Sequence, residues 1–179
     1  MALAPSPPLI LPPKLIVADA GPLIALAVGG VLPQCLEMLG GLWVPDAVLL
    51  ECLADVSAPG ALILQDLHRT QQFQTVASAS LAPLDAAFAA GLGGGEIAVL
   101  AYAKAHGLLA LIDERRARRV AERLAVAVIG SGTVLAQLKR QGRIGSLQPV
   151  FAAWGQHGYF ISEGIKRDIE RLADESQVS

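Results

Sequence analysis

Apolar residues in this chain fall into short continuous runs separated by stretches of helical periodicity. KLIVA, residues 14–18, is uninterrupted and β-branched at its centre, as in a strand covered on both faces, and it ends at a lone aspartate, Asp19. GPLIALAVGG then reads as a short helix stopped by two glycines. VLPQCLEMLGG continues as helix, LWV as a short strand, and PDAVLLECLADV as a helix with Pro45 and Asp46 at its mouth. Further on, GALILQDLHRTQQ is helical and FQTVAS strand-like, while PLDAAFAAGLGGGEIAVLAYAKAHG gives two helices joined by the glycines Gly93 to Gly95. LLALID is another buried strand, and ERRARRVAERL a helix with Ala117, Val120, Ala121 and Leu124 on its apolar side. Strand AVAVIG, helix TVLAQLKRQG and a tail, YFISEGIKRDIERLADE, that starts extended and finishes as an amphipathic helix complete the pattern.

Five apolar runs separated by helices predict an α/β domain with a mainly parallel five-stranded sheet, because parallel neighbours need crossover connections. Ligands of such sheets sit at the carboxyl ends of the strands. A length of 179 residues suits one core, which we assign to residues 14–179. Residues 1–13 are Pro-rich, lack the marks of a secretory signal and are expected to form an extended leader. Although 53% of residues are hydrophobic, no run reaches the ~18 apolar residues of a membrane span. A soluble protein without a membrane partner is expected. The formal charge of −2 gives no global field to attract nucleic acid, so any polyanion must be bound locally. Cys35 and Cys52 lie in apolar surroundings without metal-ligand spacing, as reduced core residues of a cytoplasmic protein would.

Four acids stand out by position. Asp19 follows the first strand, Asp113 with Glu114 follows the fourth, Glu51 interrupts AVLLECLA, and Glu96 opens an apolar helix after three glycines. Each alone has a structural explanation: Asp19 and Asp113 as helix caps, Glu96 as a partner of the helix dipole, Glu51 as a solvent-facing side chain. Glu51 sits among Val48, Leu49, Leu50, Cys52 and Leu53, so its carboxylate is expected to be desolvated and in need of a compensating cation or donor. Taken together, the acids recur at the strand ends and helix starts that one cleft would unite. Converging carboxylates repel one another unless they share a cation, and oxygen-only ligation suits Mg²⁺ or Mn²⁺. That constellation suggests metal-assisted phosphodiester hydrolysis, which requires no nucleophilic side chain.

IVADAGPLIAL, PDAVLLEC, GLGGGEIAVLAYA, LLALIDERRARRVAERL and VIGSGTVLAQLKRQGRI, in this order, resemble a PIN-domain protein of the VapC-type toxin ribonuclease kind. The resemblance runs from about Lys14 to the tail helix. It implies a three-layer α/β/α sandwich and metal-dependent cleavage of RNA, with Asp19, Glu51, Glu96 and Asp113 as the catalytic acids. The metal ligands it implies are Asp19, Glu96 and one or both of Asp113 and Glu114, with the strand-end geometry favouring Asp113. A hydroxyl often follows the glycine of the VIG segment in that family. Ser131, or Thr133 nearby, would either orient water or a ligand, or cap the next helix.

Arg115, Arg116, Arg118, Arg119 and Arg123 crowd one helix, where Arg115, Arg119 and Arg123 share a face. They form either a phosphate-binding strip for RNA or a solvated face with Glu122 paired to Arg118. Lys139, Arg140 and Arg143 would extend the strip. GLGGGE is no dinucleotide fingerprint, because it lies between helices and puts Glu96 where the last glycine belongs. His68, His106 and His157 are scattered without ligand spacing. The apolar segment LIALAVGGVLPQCLEML is expected to leave a hydrophobic face for a homodimer or a bound partner, and the resemblance names an antitoxin as that partner.

Overall fold

Continuous apolar runs can be buried on both faces only in the middle of a layered structure. In a computed structural model of the chain, described for residues 15–174, the runs meet this condition as one all-parallel sheet. Its strands are β1 (Leu15–Ala18), β2 (Gly41–Pro45), β3 (Gln74–Val76), β4 (Leu109–Leu111) and β5 (Val128–Ile129), in the order β3-β2-β1-β4-β5. Ile16, Val17 and Ala18 pair with Leu109, Ala110 and Leu111 on one side, and Leu15, Ile16 and Val17 with Gly41, Leu42 and Trp43 on the other. The chain winds outward from β1 in both directions, so the switch point lies between β1 and β4.

Ten α-helices complete the α/β sandwich among the described residues. They are α1 (Ala20–Val28), α2 (Leu32–Met38), α3 (Asp46–Cys52), α4 (Ala61–Arg69), α5 (Ala86–Ala89), α6 (Gly94–His106), α7 (Arg115–Arg123), α8 (Ser131–Arg140), α9 (Gln148–Gln156) and α10 (Glu163–Asp174). Helix α6 lies across β1, β2 and β4 and packs on α3, while α1 touches α2, α4, α8 and α9, and α8 carries α10. The helix α3 starts where Asp46 accepts the Ser78 N–H (2.9 Å) and Ser78 Oγ accepts the Ala47 N–H (3.3 Å). Hydrogen bonding from the Ser78 hydroxyl and then the Ser78 N–H holds the Asp46 carboxyl below its usual range, and together these contacts tie the end of β2 to the 3-10 turn at Ser78–Ser80.

Several expectations need correcting. The apolar residues of α1 and α2 proposed as an exposed partner face are core: Leu23, Ala25, Leu26, Leu32 and Cys35 are buried. Helix α3 stops at Cys52 instead of reaching Val56, because Asp55 turns back to bind Ser57 through both its N–H (2.9 Å) and its hydroxyl (2.6 Å). Helix α5 is a single turn, and strand β5 is two residues long. Helix α9, given no element from the sequence, forms with Pro149 in its first turn and buries Val150, Phe151 and Trp154. Both cysteines are free and buried, and burial pushes each thiol up to about 12. The leader of residues 1–13 lies outside the described residues. No single described helix is long and apolar enough to cross a membrane.

Candidate active site

Sheet pairing alone brings two of the acids together. Asp19 leaves β1 as Asp113 leaves the neighbouring β4, and the Asp19 backbone N–H donates to Leu111 O at 3.0 Å, closing the gap between the strand ends. Asp19 occupies the N-cap position of α1, yet its side chain makes no capping hydrogen bond. The residue is only 7% exposed. Burial first, then the charges of Glu96, Glu51 and Asp113, raise its carboxyl from 3.8 to about 6, with the Ala20 amide opposing them. All three companions named from the sequence are therefore close enough to be felt at Asp19.

Glu96 and Glu51 reach this point because α6 and α3 pack closely at Gly95. A Cβ there would stand 3.1 Å from Glu51 Oε2, 3.1 Å from Val48 Cγ2 and 3.5 Å from Asp19 Oδ1, so glycine lets both carboxylates face the first turn of α6. Glu51 is exposed, contrary to the desolvation expected from its apolar neighbours, because short α3 turns both Leu50 and Glu51 outward. Glu96 reaches back along α6, where its Oε2 accepts the Gly93 N–H at 2.7 Å. That is the local role open to it from its first-turn position.

Asp113 is held from two directions. Its Oδ1 accepts the Ser131 N–H at 2.8 Å and its Oδ2 accepts the Tyr159 hydroxyl at 2.9 Å. Burial, followed by the Asp113 charge and hydrogen bond, pushes the Tyr159 phenol up to about 12, with Ser131 opposing. Glu114 does different work: its side chain caps α7, accepting the amides of Arg116 and Ala117. Ser131 is buried at the start of α8, where Gly130 is the N-cap and no side-chain cap forms, and Thr133 is partly buried in the same turn. Tyr159 is the site contact that sequence reasoning missed. Its only local sign is the helix-ending Gly158 before it, at φ 78°, and nothing in the sequence links that position to Asp113.

The arginines divide. Arg116 lies over Gly91 and donates to Ala90 O at 3.1 Å, Arg118 donates to Ile112 O at 3.0 Å, and Arg123 stands 4.7 Å over the Phe88 ring. The Arg118–Glu122 pair of the solvated-face alternative does not form among the described residues. Arg118 instead sits beside the acids: its Nη1 and Asp113 Oδ1 would each be 3.0 Å from a Cβ at Gly130. Arg115 and Arg119 are exposed and make no hydrogen bond or ion pair among the described residues.

The donor chemistry fits a hard divalent cation, since the charges of Glu96, Glu51 and Asp113 all bear on the Asp19 carboxylate and none of the four is in an ion pair among the described residues. Their present side-chain positions do not complete a ligand shell: among the described residues no group of three or more acids, cysteines or histidines stands close enough to hold one metal ion.

These features define an α/β protein with an acidic site at the carboxyl edge of a parallel sheet, at its switch point. Residues 15–175 match a family model described as PIN domain, and the chain belongs to that family. The fold is accordingly a nuclease fold. No curated protein and no solved structure matches the chain.

Proposed function

We propose that this protein is a metal-dependent endoribonuclease, with Asp19, Glu51, Glu96 and Asp113 as its acidic centre. The observation that carries the reading is the perturbed Asp19. A buried carboxylate raised to about 6, chiefly by burial and further by the charges of three other acids, is unfavourable in a merely structural role and useful where a cation binds. Asp19, Glu96 and Asp113 would hold Mg²⁺ or Mn²⁺ as ligands. Glu51, exposed and free to turn, would complete the shell or orient water, and Glu96 would exchange its Gly93 bond for the ion. Asp113 carries the later ligand role in preference to Glu114, whose oxygen is engaged by the α7 amides.

Held by Asp19, Glu96 and Asp113, such a cation would offset charge on the scissile phosphate and leaving oxygen and would acidify the attacking water. The chain supplies the remainder. The sheet edge fixes Asp19 and Asp113 relative to each other, the α3–α6 contact brings up Glu51 and Glu96, and Ser131 lies beside Asp113. Exposed Arg115 and Arg119 offer phosphate contacts one helix away from the acids, a local positive strip on a chain of charge −2. The same proposal includes a toxin role with an antitoxin, and a homodimer. Leu50, Val56 and Leu62 remain mostly exposed and supply apolar surface of the kind a partner or second copy covers.

A second reading, a PIN fold that binds RNA or protein without cutting, has its own support. Asp113 and Glu96 already have hydrogen-bond partners, and Ile112, directly before the acid pair, is buried and apolar, where the family resemblance implies a polar residue more often. Incubating a panel of RNAs with wild type and Asp19→Asn, in Mn²⁺, Mg²⁺ or chelator, separates the two. Metal-dependent cleavage by wild type alone supports the nuclease. Equal behaviour of the two proteins in every condition, with RNA binding retained, supports the binding module.

A further inference from the structure

We infer that Tyr159 is a positioning residue that fixes the Asp113 carboxylate at the sheet switch point for cation binding; this rests on the metal-dependent reading above. A carboxylate on a strand end can rotate about two side-chain bonds, and the two hydrogen bonds on Asp113 remove that freedom. The Ser131 N–H takes Oδ1 and the Tyr159 hydroxyl takes Oδ2, one bond to each oxygen. Each oxygen keeps acceptor capacity for a further contact. Partners of this kind, standing behind a ligand, orient it and tune its affinity for the ion.

Tyr159 can act in this way because it is itself immobilised. Gly158 takes a left-handed φ of 78°, which ends α9, and the Tyr159 N–H donates back to Trp154 O at 2.8 Å. The tyrosine ring packs 5.1 Å from that of Trp154 at 56°. Trp154 is 1% exposed, and its Nε1 donates to Ala25 O at 2.6 Å in α1, the helix that begins directly after Asp19. A rigid path thus runs from α1 through Trp154 and Tyr159 to Asp113, joining the mounts of two acids that sit on neighbouring strands. The phenol hydroxyl is its last member, and the one part that bears on the carboxylate without adding to the apolar packing.

The test compares Mn²⁺ binding, without RNA, by the full-length wild type, Asp19→Asn, Tyr159→Phe and Tyr159→Leu proteins, alongside their urea unfolding. Phenylalanine keeps the ring against Trp154 and removes only the hydroxyl. The expected result is Mn²⁺ affinity lowered about tenfold in both Tyr159 variants, with the unfolding midpoint clearly lowered only in Tyr159→Leu. Wild-type affinity in Tyr159→Phe, when Asp19→Asn has lost it, overturns this inference alone. No Mn²⁺ binding by wild type, or binding that Asp19→Asn leaves unchanged, overturns the metal reading and this inference together.

Discussion

Replacing Asp19 by asparagine should stabilise the metal-free protein, and by an amount that depends on pH. In the folded chain the carboxyl is raised from 3.8 to about 6, chiefly by burial and then by Glu96, Glu51 and Asp113. In the unfolded chain it ionises near 3.9. Below about pH 4 both states are protonated and the group contributes nothing. As pH rises through the interval the unfolded chain releases its proton first, so folding becomes progressively less favourable, and the loss is complete above the folded value. A rise of about two units at 1.36 kcal/mol each corresponds to roughly 3 kcal/mol at neutral pH. Asp19 is nearly buried, so solvent screening removes little of this. Asparagine has almost the same shape and carries no charge to repel the other acids.

Urea unfolding of both proteins in chelator, from about pH 4 to about pH 8, measures the difference directly, and titration of all other groups cancels to first order. The variant should match wild type at the acid end and gain up to about 3 kcal/mol by neutral pH, most of it between about pH 4 and pH 6. Millimolar Mn²⁺ should remove the gap by stabilising wild type alone. A stability difference that stays flat across the whole range would refute the claim that Asp19 is held as a buried, mutually repelled carboxylate.

Two further outcomes follow from the same geometry. Gly95→Ala places a methyl 3.1 Å from both Glu51 Oε2 and Val48 Cγ2, so the Glu51 carboxylate and the buried Val48 side chain must each give by a few tenths of an ångström. We expect net destabilisation of about 1 kcal/mol by urea unfolding, from overpacking of ~1–3 kcal/mol partly offset by helix propensity, together with weaker Mn²⁺ binding. Removing both Arg115 and Arg119 should leave stability within about 0.5 kcal/mol, because neither is paired among the described residues. RNA affinity measured against salt should then show a slope shallower by about 1.4, at ~0.7 per lost phosphate contact on a single strand.

The parts of the fold that could be read in advance are those where one physical demand dominates. KLIVA and LLALID announce themselves as strands because continuous apolar residues need cover on both faces, and their adjacency puts Asp19 and Asp113 at one edge. Helix α9 is harder to see: Val150, Phe151 and Trp154 have helical spacing, but Pro149, Gly155 and Gly158 break the segment into what reads as loop. In the site, the sequence identifies which acids approach one another and not which of their oxygens are already engaged. Glu114 and Asp113 are neighbours in the chain, yet one turns into the α7 amides and the other out toward Ser131 and Tyr159. That choice depends on rotamers set by tertiary packing. Tyr159 was invisible for the same reason, since its partner is 46 residues away and no periodicity connects them.

A metal ion shared by the acids around Asp19 is the central requirement of the proposed nuclease. Anomalous diffraction from crystals soaked in Mn²⁺ tests this most directly. The predicted result is a peak at about 2.1 Å from an Asp19 oxygen, with an oxygen of Asp113 or Glu96 at a similar distance and Glu96 turned away from Gly93. Carboxylates that stay apart, with Mn²⁺ bound elsewhere or not at all, would contradict a metal-dependent site at Asp19.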